Sequence, residues 1–198
     1  MYELKENLFK QLFTFTNVLP ALENKSIVAT EDSSIFVGTT SGLIKFYHNQ
    51  IKSFTTKNSG LISDTINVLV SWNNTVWAGT SKGLISFNKE VISVEVAKES
   101  YNHSIRDFDV NTKGKIATIY NSTISSYSKA AGWQVLKTFN RSPSDLAFDK
   151  NDTLWVAAGS LYKFKDKLWN SYRYNFQNNF FEDYIDSWVY PSTTNNEV

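Results

Sequence analysis

Two stretches of the chain lie on one another almost residue for residue. One is Ile35-Phe36-Val37-Gly38-Thr39-Thr40-Ser41-Gly42-Leu43-Ile44-Lys45-Phe46. The other is Val76-Trp77-Ala78-Gly79-Thr80-Ser81-Lys82-Gly83-Leu84-Ile85-Ser86-Phe87. The Gly-Thr pair, the Gly-Leu-Ile triplet and the closing Phe all keep register. A degenerate copy runs from Lys115 through Ile119, Asn121 and Ser122 to Tyr127, and a partial one from Leu154 through Trp155 and Gly159 to Phe164. Taking Phe36, Trp77, Ile116 and Trp155 as anchors, the spacings are 41, 39 and 39 positions. A fixed period of that size is the mark of a repeat architecture.

Working outward from each anchor gives the content of the unit. A short apolar run precedes it: Ile27–Ala29, Ile66–Val70, Ile105–Val110 and Asp145–Phe148. Each run is followed by a polar turn rich in Asn, Asp or Gly: 31–34, 73–74, 111–114 and 150–152. Those residues supply the positive φ or the side-chain-bonded turns that hairpins require. After the anchor strand comes a turn, at Gly42 and Gly83 in the two good copies, and a strand ending in Phe46, Phe87, Tyr127 or Phe164. A fourth run follows at Ile51–Thr55, Val91–Val96, Trp133–Thr138 and Leu168–Tyr174. Four short antiparallel strands in about 40 residues make one blade of a β-propeller. Leu43 and Phe46, like Leu84 and Phe87, are three apart and so lie on opposite faces of a strand. Propeller packing covers both faces, whereas a two-layer sandwich would leave one of them in water. The fold expected is therefore all-β: a single β-propeller domain over residues 1–198, with blades at 21–56, 62–97, 103–139 and 144–175. Residues 176–198 form the start of a further blade or a tail. The stretch Tyr184–Tyr190 reads as the first strand of a fifth blade, and an unfinished blade predicts a piece of a longer propeller. Compact closure by an irregular fifth blade is the alternative. Near the start, Tyr2–Leu12 has weak helical spacing but could equally hold a strand near Leu8–Thr16, able to pair with the last blade.

Composition narrows the function classes. The chain has 198 residues, enough for one domain or at most two small ones. Lys and Arg number 20 and Asp and Glu 19, a formal charge of +1. That balance argues against a generic nucleic-acid or anionic-membrane surface, which needs a concentrated cationic excess. No apolar run reaches the ~20 residues of a membrane span. Absence of Cys removes disulfides, thiolate nucleophiles, Fe–S clusters and Cys-based zinc sites. Glu3, Lys5 and Glu6 interrupt the start, so no secretory signal is read there. The chain is then either cytoplasmic or the mature form or inner piece of an exported protein.

The repeats resemble a known family. Phe36-Val37-Gly38-Thr39-x-x-Gly42-Leu43 and Trp77-Ala78-Gly79-Thr80-x-x-Gly83-Leu84 are similar to the two-component-regulator propeller repeat, and Asn58–Ile66 matches the stretch before its first strand. The third blade lacks both glycine pairs, and the fourth replaces Gly-Thr by Ala157-Ala158. The motifs are structural and bring no catalytic residues with them. The resemblance implies a bacterial domain of periplasmic or cell-surface location, common in Bacteroidetes-type organisms. It is often the sensory part of a hybrid two-component system that detects carbohydrate fragments. It also implies, as an alternative, a protein-interaction propeller of a type IX secretion-associated surface protein. Expected partners are accordingly carbohydrate fragments or a cell-envelope protein, and neighbouring domains of a longer chain.

Candidate chemistry is sparse. No P-loop, G-x-G-x-x-G, H-E-x-x-H or G-x-S-x-G pattern occurs, and no cofactor or metal is expected. His48 and His103 read as solvated turn residues of different blades. Asp107 and Asp109 alternate on an innermost strand; they read as solvated or turn-bonded carboxylates, or else as channel groups of a propeller lyase or hydrolase acting on glycans. Lys163, Lys165 and Lys167 flank an outer hairpin and discourage edge pairing. Phe36, Trp77 and Trp155 read as inter-blade core. The run Trp169, Tyr172, Tyr174, Phe176, Phe180, Phe181 and Tyr184 either covers the next blade or forms a recognition surface. The leading expectation is a non-enzymatic sensor or scaffold domain whose ligand sits on the blade-connecting loops and the turns around Gly42 and Gly83. Candidate binding residues there are Lys57, Asn58, Lys82, Tyr120, Arg141 and Asn178.

Overall fold

A computed structural model describes residues 2–5, 8–11, 23–48, 50–88, 91–94, 103–128, 130–175 and 180–184. The chain divides into two compact units, Met1–Asn102 and His103–Val198. Every regular element among the described residues is a strand.

The first unit opens with a hairpin, β1 (Tyr2–Lys5) paired antiparallel with β2 (Leu8–Gln11). The expected strand near Leu8 is present, but its partner is β1 and not a blade. Two four-stranded meanders follow. The first blade comprises β3 (Asn24–Ala29), β4 (Ile35–Thr39), β5 (Gly42–Tyr47) and β6 (Gln50–Phe54). The second comprises β7 (Ile66–Trp72), β8 (Thr75–Thr80), β9 (Gly83–Asn88) and β10 (Val91–Val94). β3 lies beside β7, so these are the innermost strands. The blades pack through Phe36, Leu43 and Phe54 against Leu61, Ile66, Leu69, Val76, Ala78, Ile85 and Phe87. Phe87 meets Phe36 and Phe54 edge-on at centroid distances of 5.3 and 4.9 Å. On the other face of the first blade Val37, Ile44 and Phe46 are also buried. Leu43 and Phe46 thus occupy opposite covered faces, as their spacing requires.

The Gly-Thr-x-x-Gly motif now has a cause at each position. Gly38 faces the second blade so closely that an added Cβ would stand 2.6 Å from the Ile66 Cγ2 methyl. Thr39 Oγ1 donates to the Gly42 carbonyl at 2.8 Å and accepts from the Ser41 amide at 3.0 Å, closing the β4–β5 turn; Thr80 does the same with Gly83 and Lys82 at the same distances. Gly42 has φ +130°, and a Cβ there would run into the Phe54 carbonyl.

The second unit holds the third blade, β11 (Asp107–Val110), β12 (Ile116–Tyr120), β13 (Thr123–Ser128) and β14 (Gly132–Thr138). The fourth is β15 (Asp145–Phe148), β16 (Leu154–Ala157), β17 (Leu161–Lys165), β18 (Leu168–Asn175) and β19 (Phe180–Tyr184). Ala117, Ile119, Ile124, Phe139, Leu146, Leu154, Val156 and Tyr162 fill its core. β19 pairs with β18 as a fifth strand of the fourth sheet. Phe180–Tyr184 therefore extends an existing blade, while the rest of the expected fifth-blade strand, 185–190, lies outside the described residues.

One register needs correcting. β4, β8 and β12 each end three residues after the anchor, at Thr39, Thr80 and Tyr120, which makes Ala117 and not Ile116 the counterpart of Phe36 and Trp77. Pairing agrees: Phe36 and Ala117 lie opposite Val28 and Asp109 on the innermost strands. A one-residue slip turns every side chain to the other face. In this frame Thr39, Thr80 and Tyr120 are one position, and so are Ser26 and Asp107.

The polar hairpin turns behave as read. Asn73 and Asn74 both take positive φ. Asp32, Asn111 and Asp149 each accept a backbone amide two residues on, at 3.0, 3.0 and 2.8 Å. Asp149 also receives the Trp155 indole N–H at 3.1 Å, and these bonds hold its carboxyl down at about 2.

Candidate functional site

In each unit the blade-connecting loop and the turn between the second and third strands emerge at the same end of the sheets. In the first unit they are bonded together: the Ser81 amide donates to the Thr65 carbonyl at 3.0 Å, and the Ser63 and Ser81 hydroxyls are 2.7 Å apart. Lys57 and Asn58 lie in the β6–β7 loop and Lys82 in the β8–β9 turn, all three exposed. Asn58 is occupied with the loop itself. Its Oδ1 accepts the Thr55 amide at 2.7 Å and its Nδ2 donates to the Ser53 carbonyl at 3.1 Å. It holds the chain where β6 ends, which is a positioning role. Lys57 and Lys82 carry their ammonium groups on exposed turns.

At the corresponding end of the second unit the departure from the repeat is chemical. Tyr120 stands where Thr39 and Thr80 close their turns, and the β12–β13 turn is made instead by Asn121, at φ +49°. The phenol ring lies parallel to the His103 imidazole, with centroids 5.1 Å apart and planes inclined by 2°. That distance and angle describe an offset stack, the favourable arrangement for two rings. Arg106 is anchored at both ends: its amide donates to the Ile119 carbonyl at 3.0 Å, and its Nη1 donates to Ser142 Oγ at 2.5 Å. Ser142 Oγ in turn donates to the Asn121 carbonyl at 2.5 Å. The hydroxyl thus links the guanidinium to the turn that carries Tyr120. Arg141 precedes Ser142 in the same β14–β15 loop and is exposed. Sequence reading singled out Tyr120 and Arg141, and the fold brings their loops together through Ser142. It reads His103 only as a solvated turn residue, where the structure stacks it on Tyr120, and it passes over Arg106. The signal that would have found them is the repeat itself, since a Tyr stands in the position of the turn-closing Thr. Asn178 lies outside the described residues.

The two inner-strand aspartates are turned to the neighbouring strand. Asp107 Oδ2 accepts the Leu146 amide at 3.2 Å and Asp109 Oδ2 the Phe148 amide at 2.7 Å, while each Oδ1 accepts the amide of the next residue in β11. The reading of both as solvated or turn-bonded groups is corrected: they join β11 to β15, replacing ladder bonds that two blades cannot make. Ser26 does the same in the first unit, its Oγ accepting the Leu69 amide at 2.9 Å. Burial, then a hydrogen bond with the Asp145 carboxyl and its charge, push Asp107 up to about 6. The lysines of the β17–β18 hairpin lie where expected, with Lys163 Nζ 5.7 Å from the Trp155 ring centre and Lys165 and Lys167 exposed at the turn.

No protein-family model matches the sequence, and no curated protein matches it. Solved structures do. The extracellular domain of the two-component system BT4673 of B. thetaiotaomicron superposes with a TM-score of 0.71 at 18% identity, covering 87% of this chain and 24% of that one. The corresponding domain of BT3049 from the same organism gives 0.62 at 21% identity, covering 76% and 22%. The virginiamycin B lyase of Staphylococcus aureus gives 0.60 at 9% identity, covering 83% and 56%. This chain thus spans about a quarter of the length of the sensor-system domains it matches. At these identities the likeness is one of fold. The chain is built of β-propeller blades, and it resembles the two-component-regulator propellers.

Proposed function

We propose that this chain is a non-enzymatic recognition domain of an exported bacterial protein, on the sensory side of a two-component system, with its ligand held at the β12–β13 end of the second unit. The observation that carries the reading is Tyr120. It occupies a position that the repeat reserves for a turn-closing Thr, it stacks on His103, and the turn that follows it is tied through Ser142 to Arg106. A flat apolar face with polar edges, set on loops of a rigid scaffold, suits reversible binding of a small polar ligand. The resemblance to sensor-system propellers supports carbohydrate fragments as that ligand.

A lyase or hydrolase is the second reading, favoured by the fold it shares with virginiamycin B lyase and by the raised Asp107. Against it, Asp107 and Asp109 are both engaged with backbone amides of β15, and a general acid must be within reach of its substrate. One experiment separates the readings. The chain is incubated with a panel of soluble oligosaccharides, and both binding and chain shortening are followed. Recognition predicts binding that Tyr120→Ala abolishes, with no product. Turnover lost in Asp107→Asn would make the chain an enzyme. Capture of a cell-envelope protein without glycan binding would make it a protein-interaction module.

A further inference from the structure

We propose that the site at Tyr120 selects an oligosaccharide bearing a carboxylate, a uronic acid, with Arg106 as the group that meets the charge and the His103–Tyr120 pair as the platform for the sugar ring. The inference rests on the recognition reading above and deepens it. Arg106 is exposed, and one of its N–H groups is taken by Ser142. That bond, relayed to the Asn121 carbonyl, tethers the exposed guanidinium to the turn that carries Tyr120. Among the described residues no carboxylate pairs with it. Its chain neighbour Asp107 is directed instead at the Leu146 amide, the Phe108 amide and Asp145. A tethered guanidinium without an internal anion is suited to a planar carboxylate from outside, which it can meet with two parallel bonds. Arg141, one residue from the serine that fixes Arg106, adds a second exposed cation on the same loop. A neutral sugar would gain from the aromatic pair and leave both cations unused, so the arrangement discriminates by charge.

The test uses the full chain and a matched pair of probes, tri-galacturonate and its fully methyl-esterified, neutral counterpart, by titration calorimetry. Tri-galacturonate is expected to bind at low salt, at least about tenfold more tightly than the ester. Binding should weaken in about 0.5 M salt, where charge attraction is screened. Arg106→Gln should lower affinity about tenfold or more and erase the preference for the acid, and Arg106→Lys, which keeps charge without the fork, should fall between. Thermal melting of each variant shows whether it has folded. A variant that does not melt cooperatively is replaced by Arg141→Gln, for which a partial loss of the preference is expected. Equal affinity for acid and ester, or an Arg106→Gln variant that still prefers the acid, overturns the carboxylate inference while recognition itself survives. Binding of neither probe overturns the inference, and only silence across the whole oligosaccharide panel removes the recognition reading with it.

Discussion

The units Met1–Asn102 and His103–Val198 are made of the same four-stranded blade, yet they close two equivalent junctions with different chemistry. Where the second strand turns into the third, the first unit uses a threonine hydroxyl and a glycine, twice, with the same two bond lengths. The third blade uses Asn121 for the bend and places a tyrosine where the hydroxyl would be. Where innermost strands meet, the first unit uses the neutral Ser26 hydroxyl, and the second uses Asp107 with Asp145 beside it. The first unit shows what the repeat needs in order to fold. The positions where the second unit gives that up are free to carry ligand chemistry or charge.

The largest effect is expected where the first unit's solution is strained for any residue but glycine. Gly42→Ala must accept φ +130° and a Cβ against the Phe54 carbonyl, a loss of about 3 kcal/mol in urea unfolding. Thr123→Gly, at the matching place in the third blade, should cost about 1–2 kcal/mol, from chain entropy and from the hydroxyl contact with Thr138 Oγ1 at 3.2 Å that it gives up. Equal losses would break the distinction between the two turns.

Next come the position-matched substitutions Thr80→Ala and Tyr120→Thr. Thr80 is fully buried, and its hydroxyl makes two bonds that alanine cannot. About 1–2 kcal/mol should be lost. Tyr120→Thr restores the repeat's own residue but gives up the stack on His103, so it should cost less than about 1 kcal/mol while removing oligosaccharide binding. A variant at 120 that loses stability as Thr80→Ala does would make Tyr120 a structural residue and remove the candidate site.

How far the sequence alone could reach follows the same division. Gly38, Thr39 and Gly42 are each required by local backbone geometry or close approach, so their spacing repeats legibly and fixes strand order and turns in the first unit. The third blade meets those needs with Ile119, Tyr120 and Thr123, and without glycines to mark the turn its anchor reads one residue early, at Ile116 instead of Ala117. Asp107 and Asp109 were unreadable for another reason. Their partners are the Leu146 and Phe148 amides, 39 residues on, and a backbone N–H leaves no trace in side-chain identity. Asn58 misled in the opposite way: its exposed position suggested a ligand contact, but its amide is committed to Thr55 and Ser53.

The smallest effect expected is a dependence on pH confined to the second junction. Asp107 sits at about 6 in the folded chain against 3.8 for an ordinary aspartate, chiefly because burial disfavours its charge, with a hydrogen bond to the Asp145 carboxyl next. Between those two values the folded chain holds more protons than the unfolded one, so stability is full below about pH 4 and declines as the pH rises through 6. The other displaced carboxylates act in a separate window. Asp149, Asp152 and Asp32 are held below 3.8 by hydrogen bonds, and their contribution is lost only as the pH falls below that value. Asp107→Asn keeps a carbonyl oxygen for the Leu146 amide and removes the titration. Urea midpoints of wild type and Asp107→Asn, compared from pH 4 to 7, should therefore separate, with wild type losing ground to the variant as the pH rises. Ser26→Ala should cost about 1 kcal/mol for its lost bond to Leu69, by the same amount at every pH, because a hydroxyl has no proton to exchange in this range. Parallel profiles for wild type and Asp107→Asn would mean that Asp107 is ionised on folding like any surface aspartate, and the chemical difference between the two junctions would reduce to one of shape.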